Sequence, residues 1–267
     1  MQKAVLLIGK KSFIAQSLKK KLSNFFLIHI KDFNELNKNT FKKNYNYIIN
    51  CSSYKVFKFN KTNKDRDLFI AKKIINTNTK LLMLSTSKVY GDNKNLIKKK
   101  EVHICKPQTH YGKSRLFVEN KIKKIIPNQY LILRLANLIN KDTRVKTKSK
   151  TAINQMINDL ISKKEITIPN EKTIKDFITI NFLAEIVHKC IVNKLSGTYN
   201  VSSGFSTSLE TVAKLLIKGH GSGIIKKKNF FTDRFILDNT KLYKKIKKKI
   251  FKKILYKEIV KIGKQIK

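Results

Sequence analysis

The stretch VLLIGKKSFIAQSLKKKL, Val5 to Leu22, decides the fold class of this chain. It opens with an uninterrupted apolar run that stops at Gly9, the pattern of a strand buried on both faces. Beyond the glycine, apolar side chains recur at helical spacing at Phe13, Ile14, Leu18 and Leu22. We therefore predict a buried strand, a tight turn and a helix in this stretch.

The same alternation of strand and helix continues along the first half of the chain. Further apolar runs predict strands at 25–30, 45–53, 80–87 and 130–139. Helical patterns lie between them, at 35–43, 67–75 and 110–126. Nearly continuous apolar strands that alternate with helices indicate an α/β fold with a doubly wound, Rossmann-like parallel sheet. In such a fold a dinucleotide binds at the first strand-turn-helix unit.

The second half of the chain has a different texture. It predicts helices at 151–164, 181–192 and 208–219 and strands within 165–180 and at 197–204. We expect a dinucleotide-binding core at 1–140 and, at 141–267, mainly a small α/β substrate-binding cap, with 174–192 returning to the core.

The C-terminal segment 242–262 is rich in lysine. Leu242, Ile246, Ile250 and Ile254 repeat at helical spacing, which predicts one basic helix with a single apolar face. A packed helix with a solvated lysine face is the favoured interpretation. A helix that contacts a membrane surface or RNA is the alternative.

Composition excludes several classes of protein. The 267 residues are 41% hydrophobic, enough for a core, but no apolar run is long enough to span a membrane. The first predicted strand begins at Ala4, which leaves no room for a signal peptide, so we expect a cytoplasmic protein with no membrane partner. The cysteines Cys51, Cys105 and Cys190 are widely spaced and odd in number, so we expect reduced thiols and no metal site.

The formal charge of +42 is carried almost entirely by lysine. Lysine, asparagine and isoleucine, all abundant here, share A/T-rich codons, so the bias has a genomic explanation. Nucleic-acid surfaces usually cluster arginine with aromatic residues, whereas these lysines are spread over the whole chain. We therefore expect no specific nucleic-acid partner.

Two later stretches carry residues suited to proton transfer: LMLSTSKVYGD (82–92) and KPQTHYGKSRLFVE (106–119). Thr86 lies at the end of a strand, and Tyr111 lies in the first turn of a helix. A phenol with a pKa of ~10 needs a nearby cation to work as an acid-base group at neutral pH. Arg115, one helical turn after Tyr111, supplies that charge with a different shape from lysine. This pairing indicates proton transfer beside a nicotinamide ring.

In their order, the motifs of this chain resemble the extended short-chain dehydrogenase/reductase family, the NAD-dependent epimerases, dehydratases and reductases of nucleotide-activated sugars. The resemblance is nearest to the dTDP-4-keto-sugar reductase and nucleotide-sugar epimerase branches. It covers residues 3–242. Its landmarks are GKKSFIA (9–15), NCSSY (50–54), LSTSKVYGD (84–92), PQTHYGKSR (107–115), LRLAN (133–137), KDFITI (175–180), GTYNVSSG (197–204) and LDNTK (237–241).

The resemblance implies a bound NAD or NADP. Ser12 stands where the family has the second glycine of its phosphate-binding turn, and Ala15 stands where it has the third. Asp32 favours NAD and Lys31 favours NADP, so the choice stays open. The cofactor-binding residues implied are Gly9, Lys11, Ser12, Phe13, Ile14, Asp32, Cys51, Ser52, Ser53, Ser85, Tyr111 and Arg115.

The resemblance also implies roles at the reacting sugar. Thr86 would hydrogen-bond the substrate oxygen, Tyr111 would move its proton, and Arg115 replaces the family's lysine. Dehydratases of the family carry Asp-Glu where Ser87 and Lys88 stand here, so dehydration is disfavoured. Substrate contacts fall to Ser87, Asn137 and Lys175, and the counterpart of the family's helix asparagine is Asn60 or Asn63.

We therefore expect an oxidoreductase or epimerase that acts on a nucleotide-sugar in surface polysaccharide synthesis. The alternative is a non-catalytic, dinucleotide-binding relative with a regulatory or scaffolding role, for which Ser12 and Arg115 are the reasons. The family usually dimerises through the helix that carries Tyr111, and Phe117 and Val118 offer apolar surface for such a homodimer, although core packing explains both equally well.

Overall fold

A central sheet of six parallel strands organises the protein. The computed structural model describes residues 3–52, 65–91, 97–139, 152–170, 173–230 and 234–266. The sheet has the order β2-β1-β3-β4-β5-β10, and each neighbouring pair is parallel. Its strands are β1 (Ala4–Ile8), β2 (Leu27–Lys31), β3 (Tyr47–Asn50), β4 (Lys80–Thr86), β5 (Tyr130–Leu135) and β10 (Gly197–Val201).

The remaining strands form three small two-stranded sheets. These pair β6 (Asn137–Ile139) with β9 (Phe177–Thr179), β7 (Glu165–Pro169) with β12 (Ile224–Lys228), and β8 (Ile174–Lys175) with β11 (Thr207–Ser208). The α-helices are α1 (Phe13–Leu22), α2 (Lys38–Lys42), α3 (Arg66–Lys73), α4 (His110–Ile125), α5 (Ala152–Lys163), α6 (Ile180–Val192), α7 (Leu209–His220), α8 (Thr240–Ile246) and α9 (Lys252–Gln265).

Both faces of the central sheet are buried. Successive side chains of a strand point to opposite faces. In β1, Val5 and Leu7 join the core that includes α1 and α6, whereas Leu6 and Ile8 join the core that includes α3 and α4. Helices on two sides of a parallel sheet define a doubly wound α/β fold, so the predicted fold class is confirmed.

The predicted strand 130–139 is wrong as a single element. It divides at Ala136, whose N–H donates to the carbonyl of Val201 at 2.9 Å. The next N–H, that of Asn137, donates instead to the carbonyl of Asp176 at 3.1 Å. The backbone changes partner at this point, so β5 belongs to the central sheet and β6 pairs with β9.

The part of the C-terminal half that joins the core extends beyond residues 174–192, because it also includes a strand of the central sheet. Helix α6 packs on α1, and β10 continues from it to form the edge of the sheet beside β5.

On the other face of the sheet, Val118 is fully buried and Phe117 is partly buried in the core that contains Leu6 and Ile8. The side chain of Val118 is therefore not part of an apolar surface for a homodimer.

The predicted single basic helix at 242–262 is also wrong. Two helices, α8 and α9, occupy the segment, and Lys247 between them has a left-handed φ of 50°. Leu242, Ile246 and Ile250 are buried as the pattern predicts, but Ile254 is 48% exposed. Leu255 is buried in its place, because the helix is interrupted between Ile246 and Lys252 and α9 packs on α7. Within the described ranges, no helix combines the length and apolar character needed to cross a membrane.

Helices α7 and α9 approach each other at two glycines. A Cβ added to Gly263 would lie 2.3 Å from the carbonyl oxygen of Leu216, and one added to Gly219 would lie 2.1 Å from that of Val260. Both neighbours are backbone atoms, which cannot turn aside. The absence of side chains at these positions therefore sets the distance between the helices.

We predict that Gly263→Ala destabilises the protein. Alanine is the better helix former by about 1 kcal/mol, but its methyl group must push the two helices apart, and overpacking of this kind typically costs about 1 to 3 kcal/mol. Urea unfolding should show a lower free energy of unfolding than in wild type. Gln265→Ala, at an exposed position of the same helix, is the control and should lose no stability. A Gly263→Ala variant as stable as wild type would show that the helices are not in contact.

Candidate functional site

The site begins where the order of the strands reverses. Strand β1 lies between β2 and β3, and Ile8 at its end is in register with Asn50 at the end of β3. In an open parallel sheet such a reversal leaves a crevice beyond the carboxyl ends of the strands, and ligands bind there. The residues after β1 and after β3 therefore border a natural binding site.

Gly9 lets these two strand ends come close together. Its φ of 108° lies in the region that favours glycine. A Cβ at this position would lie 3.0 Å from the amide nitrogen of Ser52. The N–H of Gly9 donates to the carbonyl of Lys31 at 2.7 Å, which fixes the turn to the end of β2.

Ser12 is the N-cap of α1. Its backbone is extended, and its hydroxyl accepts a hydrogen bond from the N–H of Ala15 at 3.5 Å. The hydroxyl therefore turns back to its own helix. The first N–H groups of a helix, here those of Phe13 and Ile14, have no intrahelical acceptor and favour a phosphate in front of them.

The end of β2 places an acid beside this turn. A carboxylate oxygen of Asp32 accepts from the N–H of Lys10 at 2.8 Å. The ammonium group of Lys31 instead donates to the hydroxyl of Thr40, 3.2 Å away. Lys11 is exposed in the turn itself. Of the two candidates for recognition of the adenosine ribose, Asp32 is the one bonded to the glycine turn.

A cavity of about 180 Å³ lies beyond the ends of β1, β3 and β4. It brings together five residues that the sequence predicts for cofactor binding or catalysis, namely Ile14, Cys51, Ser52, Tyr111 and Arg115. The other residues that line it are Asn50, Asp65, Arg66, Asp67, Leu84 and Ser114. Ser53, Asn60 and Asn63 lie outside the described residues. Among the described residues, no group of three His, Cys, Asp or Glu side chains is placed to hold a metal ion.

Arg115 is held by two buried carboxylates at the wall of this cavity. Its guanidinium donates to Asp67 at 2.9 Å and to Asp65 at 3.5 Å. It also donates to the backbone carbonyl of Leu84 at 3.1 Å. The three contacts join helix α4 to the start of α3 and to strand β4. A lysine, with one small ammonium group, does not offer this fork of donors.

Burial and charge act in opposite directions in this cluster. Burial alone lowers the pKa of Arg115, but the neighbouring carboxylates, Asp67 first, outweigh it and hold the pKa above its usual range. Burial, together with the charge of Asp67, raises the pKa of Asp65, and Arg115 offsets only part of that rise. Asp67 also accepts from the carboxamide of Asn50 at 3.0 Å. The arginine charge is thus largely compensated within the cluster.

Tyr111 stands at the opening of the cavity. It is the second residue of α4 and is 53% exposed. Thr109 caps this helix by accepting from the N–H of Gly112 at 3.0 Å. A Cβ on Gly112 would lie 2.5 Å from the carbonyl oxygen of Lys88, so the start of α4 is held against the turn that follows β4. That turn begins with Thr86, whose hydroxyl accepts from the N–H of Lys88 at 3.2 Å.

Ser85, one of the predicted cofactor contacts, lies in the interior. Its side chain is buried, and its hydroxyl donates to the carboxylate of Glu119 at 2.5 Å. Glu119 in turn forms a buried ion pair with Arg134 at 2.7 Å. The Ser85 hydroxyl therefore belongs to an interior network. The next predicted residue, Ser87, is buried as well.

The predicted substrate residues Asn137 and Lys175 do not line the cavity described above. The side-chain amide of Asn137 donates to the carbonyl of Asp176 at 3.0 Å, and Lys175 is buried beside it in the chain. Asp176 holds the neighbouring loops together, since its carboxylate accepts from the N–H and hydroxyl of Ser203 at 2.8 and 2.6 Å and from the N–H of Leu237 at 3.4 Å. Burial raises the pKa of Asp176 to about 6, against the lowering effect of these donors.

The sequence analysis missed Asp65, Asp67 and Asp176. The signal for the first two was their rarity, because the chain has 17 acidic residues against 59 basic ones and places two of them around Arg66. For Asp176 the signal was its position in the motif KDFITI, from which only Lys175 was assigned a role. All three carboxylates are buried and hydrogen-bonded, as buried charges must be to avoid a large desolvation cost.

The profile of the NAD dependent epimerase/dehydratase family matches residues 3–202 of this chain. The chain belongs to that family. The match covers the glycine turn, the cavity, Tyr111 and the strand β10. The family assignment made from the motifs is confirmed, and with it the NAD-type cofactor chemistry of the family.

Solved structures of family members share the whole fold. UDP-N-acetylglucosamine 4-epimerase from Methanobrevibacter ruminantium M1, in complex with UDP-N-acetylmuramic acid, is 17% identical, with a TM-score of 0.83 over 98% of this chain and 97% of that chain. A dTDP-4-dehydrorhamnose reductase from Clostridium acetobutylicum is 19% identical, with a TM-score of 0.78 over 96% and 98%. RMD from Pseudomonas aeruginosa, complexed with NADPH, is 14% identical, with a TM-score of 0.79 over 100% and 98%. At these identities the likeness establishes the fold.

The residues of this family member fit a dinucleotide. The turn at Gly9 has the close approach to Ser52 and the helix N-terminus that a pyrophosphate needs. At the cavity wall the buried Nε of Arg115 has no hydrogen-bond acceptor among the described residues. A buried donor of this kind usually has a partner, and a ribose hydroxyl group would supply one.

We predict that Arg115→Met destabilises the protein by about 3 to 5 kcal/mol, because it leaves Asp65 and Asp67 buried without their cation. The loss should depend on pH. The folded-state pKa of Asp65, which burial already raises, would rise further above the unfolded value of about 3.9 without the guanidinium, so the loss should be smaller near pH ~5 than near pH ~8.

Urea unfolding of both proteins at each pH measures this difference. Lys113→Met, an exposed cation on the same helix, is the matched control and should stay within about 0.5 kcal/mol of wild type. An equal loss for Arg115→Met at both pH values would show that the guanidinium does not control the protonation of Asp65.

Proposed function

We propose that this chain is an NAD-dependent epimerase or reductase of a nucleotide-activated sugar. The observation that carries the proposal is the position of Tyr111, which is half exposed and lines a cavity together with Ile14 of α1, the end of β3 and helix α4. The relatives named above include an epimerase and a reductase of such sugars.

The proposed chemistry is a proton transfer at a sugar hydroxyl or ketone. The bound nicotinamide would supply hydride transfer. Tyr111 would take or give the proton of the sugar oxygen. The hydroxyl of Thr86 already accepts from the N–H of Lys88, so its hydrogen is left to donate to the same sugar oxygen. Arg115 would contribute by fixing α4, and with it Tyr111, to α3 and β4.

We propose NAD as the preferred cofactor. Asp32 is bonded to the glycine turn, whereas Lys31 is bonded to Thr40. A carboxylate at the end of the second strand accepts from the 2′-hydroxyl of the NAD ribose and repels the 2′-phosphate of NADP. The remaining cofactor contacts proposed are Gly9, Lys11, Ser12, Phe13, Ile14, Cys51, Ser52, Ser53, Tyr111 and Arg115.

Several finer assignments belong to the same proposal. Ser87 and Lys88 supply no carboxylate beside Thr86, which disfavours dehydration, since elimination of water needs a separate acid and base. Asn137 and Lys175 are proposed to face the nucleotide-sugar from the C-terminal half. We further propose a cytoplasmic homodimer that acts in surface polysaccharide synthesis.

A non-catalytic, dinucleotide-binding relative is the second candidate. The observation that favours it is the contact of Arg115 with Asp65 and Asp67, because a cation shared with two carboxylates has less positive potential to offer a tyrosine. Such a protein would bind the cofactor and regulate or scaffold a partner without turnover.

We predict that Tyr111→Phe lowers turnover of the accepted nucleotide-sugar by about 10²- to 10⁴-fold, because the proton-transferring hydroxyl is lost. NADH affinity should fall by about tenfold at most, because only one of the proposed cofactor contacts loses a hydrogen bond, and a fluorescence titration would show this. Tyr243→Phe, remote from the cavity in helix α8, is the matched control and should keep full turnover. If Tyr111→Phe is as active as wild type, Tyr111 is not the proton donor.

We predict that Asp32→Asn weakens NADH binding by about tenfold or more, because a hydrogen bond to a charged group is replaced by a neutral one. Asparagine keeps an oxygen for the N–H of Lys10, so the turn should survive. NADPH affinity should stay constant or rise. Asp159→Asn, in helix α5, controls for the change in net charge. An unchanged ratio of the two affinities would exclude Asp32 from ribose recognition.

A further inference from the structure

Two large apolar side chains are exposed where α8 meets α9. Phe251 is 66% exposed, and Ile254 is 48% exposed. Phe251 is the N-cap of α9, and its carbonyl accepts from the N–H of Ile254 at 2.9 Å, so the two residues are neighbours at the start of this helix. The sequence pattern placed Ile254 in the core, so this exposed pair was not predicted. We call residues 244–257 the basic corner.

The basic corner is held firmly to the rest of the protein. Lys248 forms an ion pair with Glu185 of α6. The side-chain amide of Asn193, at the end of α6, donates to the carbonyl of Lys245 at 3.0 Å. Beneath the corner, Ile250 and Leu255 are buried in the main core. Phe251 and Ile254 are therefore presented by an ordered element.

Lysine surrounds the exposed pair. Exposed lysines of the corner are Lys244, Lys245, Lys247, Lys249, Lys252, Lys253 and Lys257. The corner contains no acidic residue, and the next one along the chain is Glu258. Exposed apolar side chains in an ordered segment rich in exposed lysines are the features of a protein surface that lies on an anionic bilayer.

We propose that the basic corner docks the protein on a membrane surface rich in anionic phospholipid, with Phe251 and Ile254 entering the interface between headgroups and acyl chains. Lysines bind the headgroup phosphates through charge, and the two apolar side chains add attraction that salt does not screen. RNA fits less well, because the corner has no arginine and an isoleucine cannot stack on a base. The proposal is independent of the catalytic function.

The lysine bias of the whole chain requires a control surface. Helix α2 and the residue after it expose Lys38, Lys42 and Lys43, a set matched in charge to Lys249, Lys252 and Lys253 of the corner. If charge alone attracted the protein to lipid, removal of either set would have the same effect. If the corner docks, removal of Lys249, Lys252 and Lys253 weakens lipid binding far more than removal of the α2 set.

The test is co-sedimentation of the full chain with phosphatidylcholine vesicles, with and without phosphatidylglycerol, at physiological ionic strength. Wild type should bind the anionic vesicles. Phe251→Ser with Ile254→Ser keeps the charge and should lower partitioning about thirtyfold. Replacing Lys249, Lys252 and Lys253 by Gln should lower it on the order of a hundredfold. The α2 triple variant should retain most of the binding.

Three results would overturn the proposal: no binding to anionic vesicles, equal losses for the two lysine sets with none for the apolar pair, or a Phe251-dependent affinity for RNA or for a second copy in place of lipid. Both apolar positions are exposed, so the thermal midpoint of the double variant should match wild type. A variant that unfolds is replaced by Phe251→Ser alone, for which about half the loss in free energy is expected.

Discussion

The contact of Arg115 with Asp65 and Asp67 is the constraint on which the site depends. It crosses three elements, since Arg115 belongs to α4, the two acids to the start of α3, and the third acceptor, the carbonyl of Leu84, to β4. Each acid is buried, so neither can keep its charge cheaply without the guanidinium. The orientation of α4 at its N-terminal end, and therefore the position of Tyr111, follows from this ion cluster.

A cation at this position has two possible tasks: it can fix helix α4, and it can place positive potential at Tyr111. Arg115 performs the first task better than the second. It fixes the helix through several directed hydrogen bonds, which a planar fork does better than an ammonium group. The same carboxylates reduce the positive potential that reaches the tyrosine. The buried Nε, which has no acceptor among the described residues, is the part of Arg115 left to contact a bound ligand. The site is therefore well positioned, but the positive potential that Arg115 offers to Tyr111 is reduced.

Much of the fold was predictable because local patterns and global burial agree. The strands β1, β3 and β4 are short apolar runs, and the helices between them have apolar side chains at helical spacing. The errors occurred where tertiary partners decide the outcome. The run 130–139 divides because the N–H groups of Ala136 and Asn137 bond to different elements. The segment 242–262 divides at Lys247. The second helix, α9, packs on α7 through the contact between Gly219 and Gly263.

The site was predictable at the level of motifs and less so at the level of single side chains. The family resemblance assigned Ile14, Cys51, Ser52, Tyr111 and Arg115 to the site, and all five line one cavity. It also assigned Ser85 to the cofactor, whereas successive residues of a strand face opposite ways and the Ser85 hydroxyl donates to Glu119. No periodicity reveals which acid will pair with a given arginine, because Asp67 and Arg115 are 48 residues apart in the chain.

The central claim, that this family member is a working enzyme despite its arginine, is tested most directly by turnover of wild type beside Arg115→Lys. Both proteins would be assayed with NAD and a panel of nucleotide-sugars. The account predicts measurable turnover by wild type and no gain from lysine, because Arg115 positions α4 in a way that lysine cannot. Absence of turnover in wild type and its appearance in Arg115→Lys would contradict the account and favour the non-catalytic relative.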